Sequence, residues 1–119
     1  MKKSKKISKP WGFEEIINVN KKYMFKRLFM KKGHRCSLQF HKKKKETIFV
    51  LRGALKIITG KSLNNLKSKI YKKNEFITIA PKIIHRMEGQ TNCVYLEASS
   101  PEIKDVVRLK DDYKRVKLN

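Results

Sequence analysis

Acidic residues are scarce: only ten Asp and Glu stand against 31 Lys and Arg, which leaves a formal charge of +21 on 119 residues. Cysteine is scarcer still. Cys36 and Cys93 are far apart and form no Cys-x-x-Cys pair, which excludes a disulfide framework and a thiolate zinc knuckle and leaves two reduced packing thiols. No apolar run follows the basic start Met1 to Lys9 to make a signal peptide, and none later reaches membrane-span length, so the expected compartment is the cytoplasm, with no membrane partner. No zinc-finger spacing, basic zipper or stacking signature accompanies the positive charge. Because 25 of the basic residues are Lys and only six are Arg, spread over nearly every segment, the excess reads as codon bias more than as a nucleic-acid face. A role in nucleic-acid binding rests on charge alone, and no specific nucleic-acid partner is expected. The charge would still draw phosphorylated metabolites to a cleft.

A chain this short supports one domain and one small core, which rules out a two-domain enzyme. Residues 1 to 8 read as a solvated basic tail, and 9 to 119 as the domain. Sustained helical periodicity is also missing. In its place are short runs rich in Ile, Val, Phe, Tyr and Thr at 12–18, 23–30, 35–40, 47–52, 54–59, 66–71, 76–80, 84–88 and 94–98, with turn residues between them. Only Glu102 to Asp105, after Pro101, could form a helical turn. Many short strands without helical crossovers predict an all-β antiparallel sandwich or jelly-roll barrel.

The polar residues of the middle segment carry the chemistry. Gln39 and His41 are two apart and leave the same face of a strand. Glu46 returns to that face if Lys42 to Lys45 form a hairpin, and His85, beyond Pro81, can be placed opposite by a later strand. An amide oxygen, two imidazoles and a carboxylate suit a divalent transition metal and leave open positions for water or substrate. Zinc comes first among the candidates, with manganese, iron, cobalt and nickel as alternatives. His34, in a Lys-Lys-Gly-His turn, reads as a surface residue. Trp11 reads as a packing anchor.

The pattern Gly33-x5-Gln39-x-His41-x4-Glu46-x6-Gly53 resembles the first cupin motif, and Pro81-x3-His85 the second, with Lys82 where Gly is common. More specifically, the chain resembles the cupin domain of type II mannose-6-phosphate isomerases, which occurs alone or behind a mannose-1-phosphate guanylyltransferase. The matching pieces run from Lys9-Pro-Trp-Gly12 through Phe25-Lys-Arg27, Lys32-Gly33, Ser37-Leu-Gln39, Asn74-Glu75, His85-Arg86 and Glu97 to Asp105-Val-Val-Arg108, Asp112-Tyr113 and Arg115. Those isomerases commonly read Gln-x-His-x-His-Arg-x-Glu. This chain has Lys43 and Lys44 at the second His and the Arg, and Ile48 at a common Trp.

The resemblance implies a cupin-type double-stranded β-helix with metal at Gln39, His41, Glu46 and His85. It also implies interconversion of mannose 6-phosphate and fructose 6-phosphate. Such a reaction needs a base beside the carbonyl, an electrophile for the enediolate and cations for the phosphate. The base would be Glu97, or a lysine whose pKa its neighbours depress. Lys26, Arg86 and Arg108 belong to matched motifs and would contact phosphate or hydroxyls. The expected ligand is a phosphorylated sugar or sugar nucleotide, and the expected assembly a homodimer. The alternative is a non-catalytic cupin that binds a sugar or sugar nucleotide or modulates a partner enzyme, which the Lys43 and Lys44 departures favour.

Overall fold

The structure, a computed structural model, describes residues 2–116. Eleven strands form two sheets: β1 (Lys5–Lys9), β2 (Gly12–Val19), β3 (Met24–Met30), β4 (Leu38–His41), β5 (Glu46–Arg52), β6 (Leu55–Gly60), β7 (Leu66–Tyr71), β8 (Phe76–Ile79), β9 (Ile84–Gly89), β10 (Cys93–Ser99) and β11 (Val106–Lys110). A six-stranded sheet ordered β1-β2-β3-β10-β5-β8 packs on a five-stranded sheet ordered β11-β4-β9-β6-β7. The strand pairs are antiparallel, and the fold is the expected jelly roll. Among the described residues there is no helix long and apolar enough to cross a membrane.

All nine expected runs are strands. Two more strands lie where none was expected. From Lys5 onward the supposed solvated tail is β1, paired along its length with β2; Lys6 lies over the Phe13 ring, and Ile7 turns toward the interior cavity. At the other end, 106–110 forms β11 against β4, and 102–105 is a turn without helix. The larger correction concerns Lys42 to Lys45. They make no hairpin, because β4 and β5 belong to different sheets; the segment crosses the barrel from one layer to the other.

Period-2 alternation sorts each strand into an inner and an outer row. Along β3, Met24, Lys26, Leu28 and Met30 are buried, while 25, 27 and 29 face out. The interior is graded. Met30, Val50, Leu55, Ile57, Ile79, Cys93 and Tyr95 form an apolar cluster with Trp11, as expected for that residue. Toward the other end of the same strands the inner row becomes Lys26, Glu46, Glu97 and Ser99, all buried.

The turn from β5 into β6 depends on Gly53, whose φ is +82° and where a Cβ would collide with the Asn92 carbonyl. Gly53→Ala should therefore destabilise the domain by at least about 2 kcal/mol. Urea unfolding with an unchanged m-value is the measurement.

Candidate metal centre

Three side chains meet at the polar end of the barrel. His41 ends β4, Glu46 begins β5 and His85 lies in β9, so Glu46 comes from one sheet and both histidines from the other. The placement of Glu46 and His85 is thus the reverse of the sequence expectation: Glu46 lies opposite, and His85 is directly cross-strand from Gln39. His85 Nε2 is 3.2 Å from Glu46 Oε1, His41 Nε2 is 3.8 Å from Glu46 Oε2, and the two rings are 5.2 Å apart. All three residues are buried, and each can offer one ligand atom within 4.8 Å of the others.

The hydrogen-bond accounting favours a cation here. His85 Nδ1 is 2.9 Å from the Ile83 carbonyl, which can only accept, so Nδ1 carries the proton. In a neutral ring Nε2 is then a bare lone pair facing a carboxylate oxygen, a contact that stabilises only with a proton or metal ion between them. Both His85 Nε2 and His41 Nδ1 are buried without a hydrogen-bond partner. Burial, with help from Lys44 and His85, pushes the His41 pKa down to about 4 against the pull of Glu46. Burial opposes the charge on Glu46, but His85, Lys44 and His41 outweigh it and hold the carboxyl below its usual range. The centre thus offers a neutral His41 imidazole and an ionised Glu46 carboxylate, protonation states a metal requires. Gln39 lines the same cavity, with its Oε1 accepting a hydrogen bond from Ser37.

Sequence reasoning missed Lys44. Within a run of four lysines it alone is buried; its ammonium lies 2.8 Å from Glu97 Oε2 and 3.4 Å from Glu46 Oε2. Burial works against that charge, yet the Glu97 and Glu46 carboxylates outweigh it and raise the Lys44 pKa above the ordinary value. Lys44 is therefore a fixed cation, and the idea of a lysine base with a depressed pKa does not apply to it. Its loop is braced by Asp105, whose Oδ2 accepts from the backbone N–H of Lys43 (2.7 Å) and Lys44 (2.9 Å); these bonds keep the Asp105 carboxyl below the usual range. Lys44 and Glu46 are two apart, so strand parity was the available signal.

A cavity of about 270 Å³ opens beside the centre, lined by Gln39, His41, Glu46, Lys44, Glu97, Lys26 and Arg108 among others. Glu97 presents itself there with Oε2 held by Lys44 and by Ser99 Oγ at 2.9 Å. Lys26 is ion-paired to Glu14 at 2.7 Å. Arg108 Nε is buried without a hydrogen-bond partner. Arg86 is elsewhere: its guanidinium donates to the backbone carbonyls of Cys36 (2.9 Å) and Lys110 (3.2 Å) and does not line the cavity. The residue after an inward His85 must face outward, so the expected substrate contact of Arg86 gives way to a structural one. His34 is half-buried against Tyr113, Nδ1 to hydroxyl 2.9 Å, and so is no free surface residue. Cys36 and Cys93 are free thiols, each pushed up by burial to about 11, and both are inert packing groups.

The family described as "Mannose-6-phosphate isomerase C-terminal" matches residues 1–112. The chain belongs to that family. Mannose-1-phosphate guanylyltransferase ManC of Salmonella typhimurium is 30% identical over 117 residues, which cover 94% of this chain and 23% of that protein. This cupin domain therefore spans about a quarter of the length of the curated relatives it matches. Among solved structures, the capsular polysaccharide assembling protein CapF of Staphylococcus aureus superposes with a TM-score of 0.78 at 18% identity, covering 91% of this chain and 34% of that one. Bacillus subtilis oxalate decarboxylase, described with Mn(II) centres, superposes with a TM-score of 0.74 at 18% identity, covering 87% and 29%. These two likenesses bear on the fold.

In this cupin, Lys44→Met would leave two buried carboxylates without their cation and should cost about 3–5 kcal/mol, whereas Lys44→Arg should retain most of the stability; chemical unfolding compares them. A second expectation concerns pH. The folded His41 pKa lies below the unfolded value, so between about 6.5 and about 4 the unfolded chain binds more protons. Stability of the metal-free protein is thus complete above that window and falls as pH drops through it. Thermal melts in chelator should show this slope, and His41→Gln should flatten it.

Proposed function

We propose that this domain is a metal-dependent sugar-phosphate isomerase-like cupin acting on mannose 6-phosphate and fructose 6-phosphate. The observation that carries the reading is the meeting of His41, Glu46 and His85, with unsatisfied ring nitrogens, beside a cavity that also holds Glu97 and an unpartnered Arg108. Membership of the isomerase C-terminal family supports the substrate class. The cavity volume, about 270 Å³, suits a hexose phosphate better than a sugar nucleotide, since pockets for larger ligands run to several hundred Å³ and more.

His41, Glu46 and His85 would hold the metal, with Gln39 as a fourth donor once its amide leaves Ser37. Zinc and manganese are the leading ions, the latter favoured by the Mn(II) of the decarboxylase neighbour. When bound, a divalent ion supplies Lewis-acid stabilisation of negative charge developing on sugar oxygens. Glu97 takes the proton from C2 of the aldose and returns it to C1, while the hydroxyl proton passes from O2 to O1, so no atom is gained or lost. Its Oε1 is the atom for this task, because Lys44 and Ser99 both occupy Oε2. Arg108 binds the phosphate through its free Nε, and Lys26 steadies the wall through Glu14. Two free cysteines support a reducing compartment, the cytoplasm.

A second reading, a non-catalytic sugar-binding cupin, draws on Lys43, which is exposed where related isomerases commonly carry a second His. One experiment separates them: purified protein is analysed for metal and then assayed for fructose 6-phosphate formed from mannose 6-phosphate. Metal with turnover, abolished by Glu97→Gln with metal retained, supports the isomerase; metal and sugar binding without turnover supports the binder; absence of metal affinity removes both. In an active enzyme, Arg108→Gln should raise KM for the phosphorylated sugar about 10- to 100-fold, the worth of one hydrogen bond to a charged group.

A further inference from the structure

Strand β2 carries two neighbouring glutamates that face opposite ways. Glu15 is outside the barrel, and both of its oxygens are engaged: Oε1 accepts from Arg27 Nε at 3.0 Å, and Oε2 from Arg27 Nη2 at 3.1 Å and from Ser4. Glu14 is inside and lines the cavity beside the metal centre. There the Lys26 ammonium lies 2.7 Å from Glu14 Oε1, and the two side chains are only 10% and 14% exposed. Among the described residues no hydrogen bond reaches Glu14 Oε2, nor is it one of the buried atoms left without a partner, so this oxygen is open to the cavity.

Packing does not call for charge at this place. The surrounding wall is Ile7, Ile16, Met24 and Leu28, and apolar side chains of similar volume commonly replace a buried ion pair at no loss of stability. Glu14 also lies between the matching motif pieces, which stop at Gly12 and resume at Phe25, so the family resemblance assigns it no part. Its position is informative. Lys26 is directly cross-strand from Glu97, and Glu14, paired with Leu28, is reached diagonally from Lys26 on the next strand. Leading away from the metal centre, the inner face of the six-stranded sheet thus presents Glu46, Glu97, Lys26 and Glu14 on β5, β10, β3 and β2. Arg108 stands on the opposite sheet.

We infer that Glu14, with Lys26 beside it, forms a diol subsite that reads O3 and O4 of the sugar, the hydroxyls next along the chain from the reacting carbons. This rests on the sugar-phosphate reading of the cavity and deepens it. A hydroxyl both donates and accepts, and an ammonium has three protons to give. A carboxylate oxygen next to an ammonium therefore matches two adjacent hydroxyls: Glu14 Oε2 accepts from one, and Lys26 Nζ donates to the other. With C1 and C2 at Glu97, one strand spacing of about 4.8 Å is enough to bring C3 and C4 to the pair. Glu14 also sets orientation. An unpaired Lys26 would attract the phosphate to the wrong wall, whereas a pair without net charge takes a neutral diol and leaves the phosphate to Arg108. The aliphatic wall covers the C–H groups of the sugar, as in ligand pockets generally.

Calorimetric titration with manganese present tests this without reliance on turnover, using mannose 6-phosphate, its 3-deoxy and 4-deoxy analogues, and inorganic phosphate. The wild type should bind each deoxy analogue about 10- to 100-fold more weakly than mannose 6-phosphate, the worth of one hydrogen bond to a charged group. Glu14→Leu should lose most of that preference and bind inorganic phosphate more tightly, because Lys26 is released. Glu14→Leu/Lys26→Met removes the pair with no change of net charge, and serves if the single variant fails to fold. It should unfold in urea at or above the wild-type midpoint yet bind mannose 6-phosphate about 10- to 100-fold more weakly. A wild type that binds all three sugars alike, or folded variants that keep the full preference, would overturn the subsite and leave the sugar-phosphate reading standing. A wild type that binds mannose 6-phosphate no better than inorganic phosphate would overturn both.

Discussion

Two carboxylates, Glu46 and Glu97, are buried in a low-dielectric interior with a single lysine between them. Buried charges persist only when compensated, and one ammonium, Lys44, stands against the two carboxylates Glu46 and Glu97. A neutral residue in place of either acid would make the apo barrel easier to fold. The surplus is instead placed beside two imidazole nitrogens that no protein donor satisfies. That combination could hold a divalent cation; around it, burial depresses the His41 pKa, the two carboxylates fix the Lys44 ammonium, and Lys44 and Ser99 engage only one oxygen of Glu97.

The rest of the barrel makes this tolerable by separating stability from chemistry along its own axis. The apolar cluster fills one end, sealed by Trp11, Met30 and Tyr95, so the polar end can carry unsatisfied groups without emptying the core. The same strands serve both ends. β10 passes from Cys93 and Tyr95 to Glu97 and Ser99 over four inward positions, and β5 passes from Val50 back to Glu46 over three. Chemistry-bearing residues thus sit on rigid strands, with their rotamers held by neighbours.

Much of this was legible in the sequence because alternation and turn residues mark short strands strongly: Leu66–Tyr71 matches its expected run to the residue. The candidate cluster was legible because His41, Glu46 and His85 stand out in a chain with few acids and three histidines. Two things were hidden. A four-residue link reads the same whether it folds back as a hairpin or crosses between layers, so the sheet that carries Glu46 could not be told from spacing. Burial of one lysine among four like neighbours also leaves no trace in composition. Parity would have helped with both missed side chains: Lys44 shares a face with Glu46, and Arg86 cannot share one with His85. Strand β1 escaped notice because its lysines outweigh Ile7, although lysines on an edge strand are a common guard against unwanted pairing.

The brace that Asp105 provides has a consequence for the order of assembly. The loop that carries Lys44 is held by a carboxylate 62 residues downstream of Lys43, and β4, which ends in His41, is bordered by β11 from the same late segment. During synthesis from the N-terminus, both histidines and both inner glutamates leave the ribosome before the residue that braces their lysine. The nascent barrel can close its apolar end first, and its acidic pocket reaches finished shape only when the last strand arrives, so the candidate centre exists only in the completed domain.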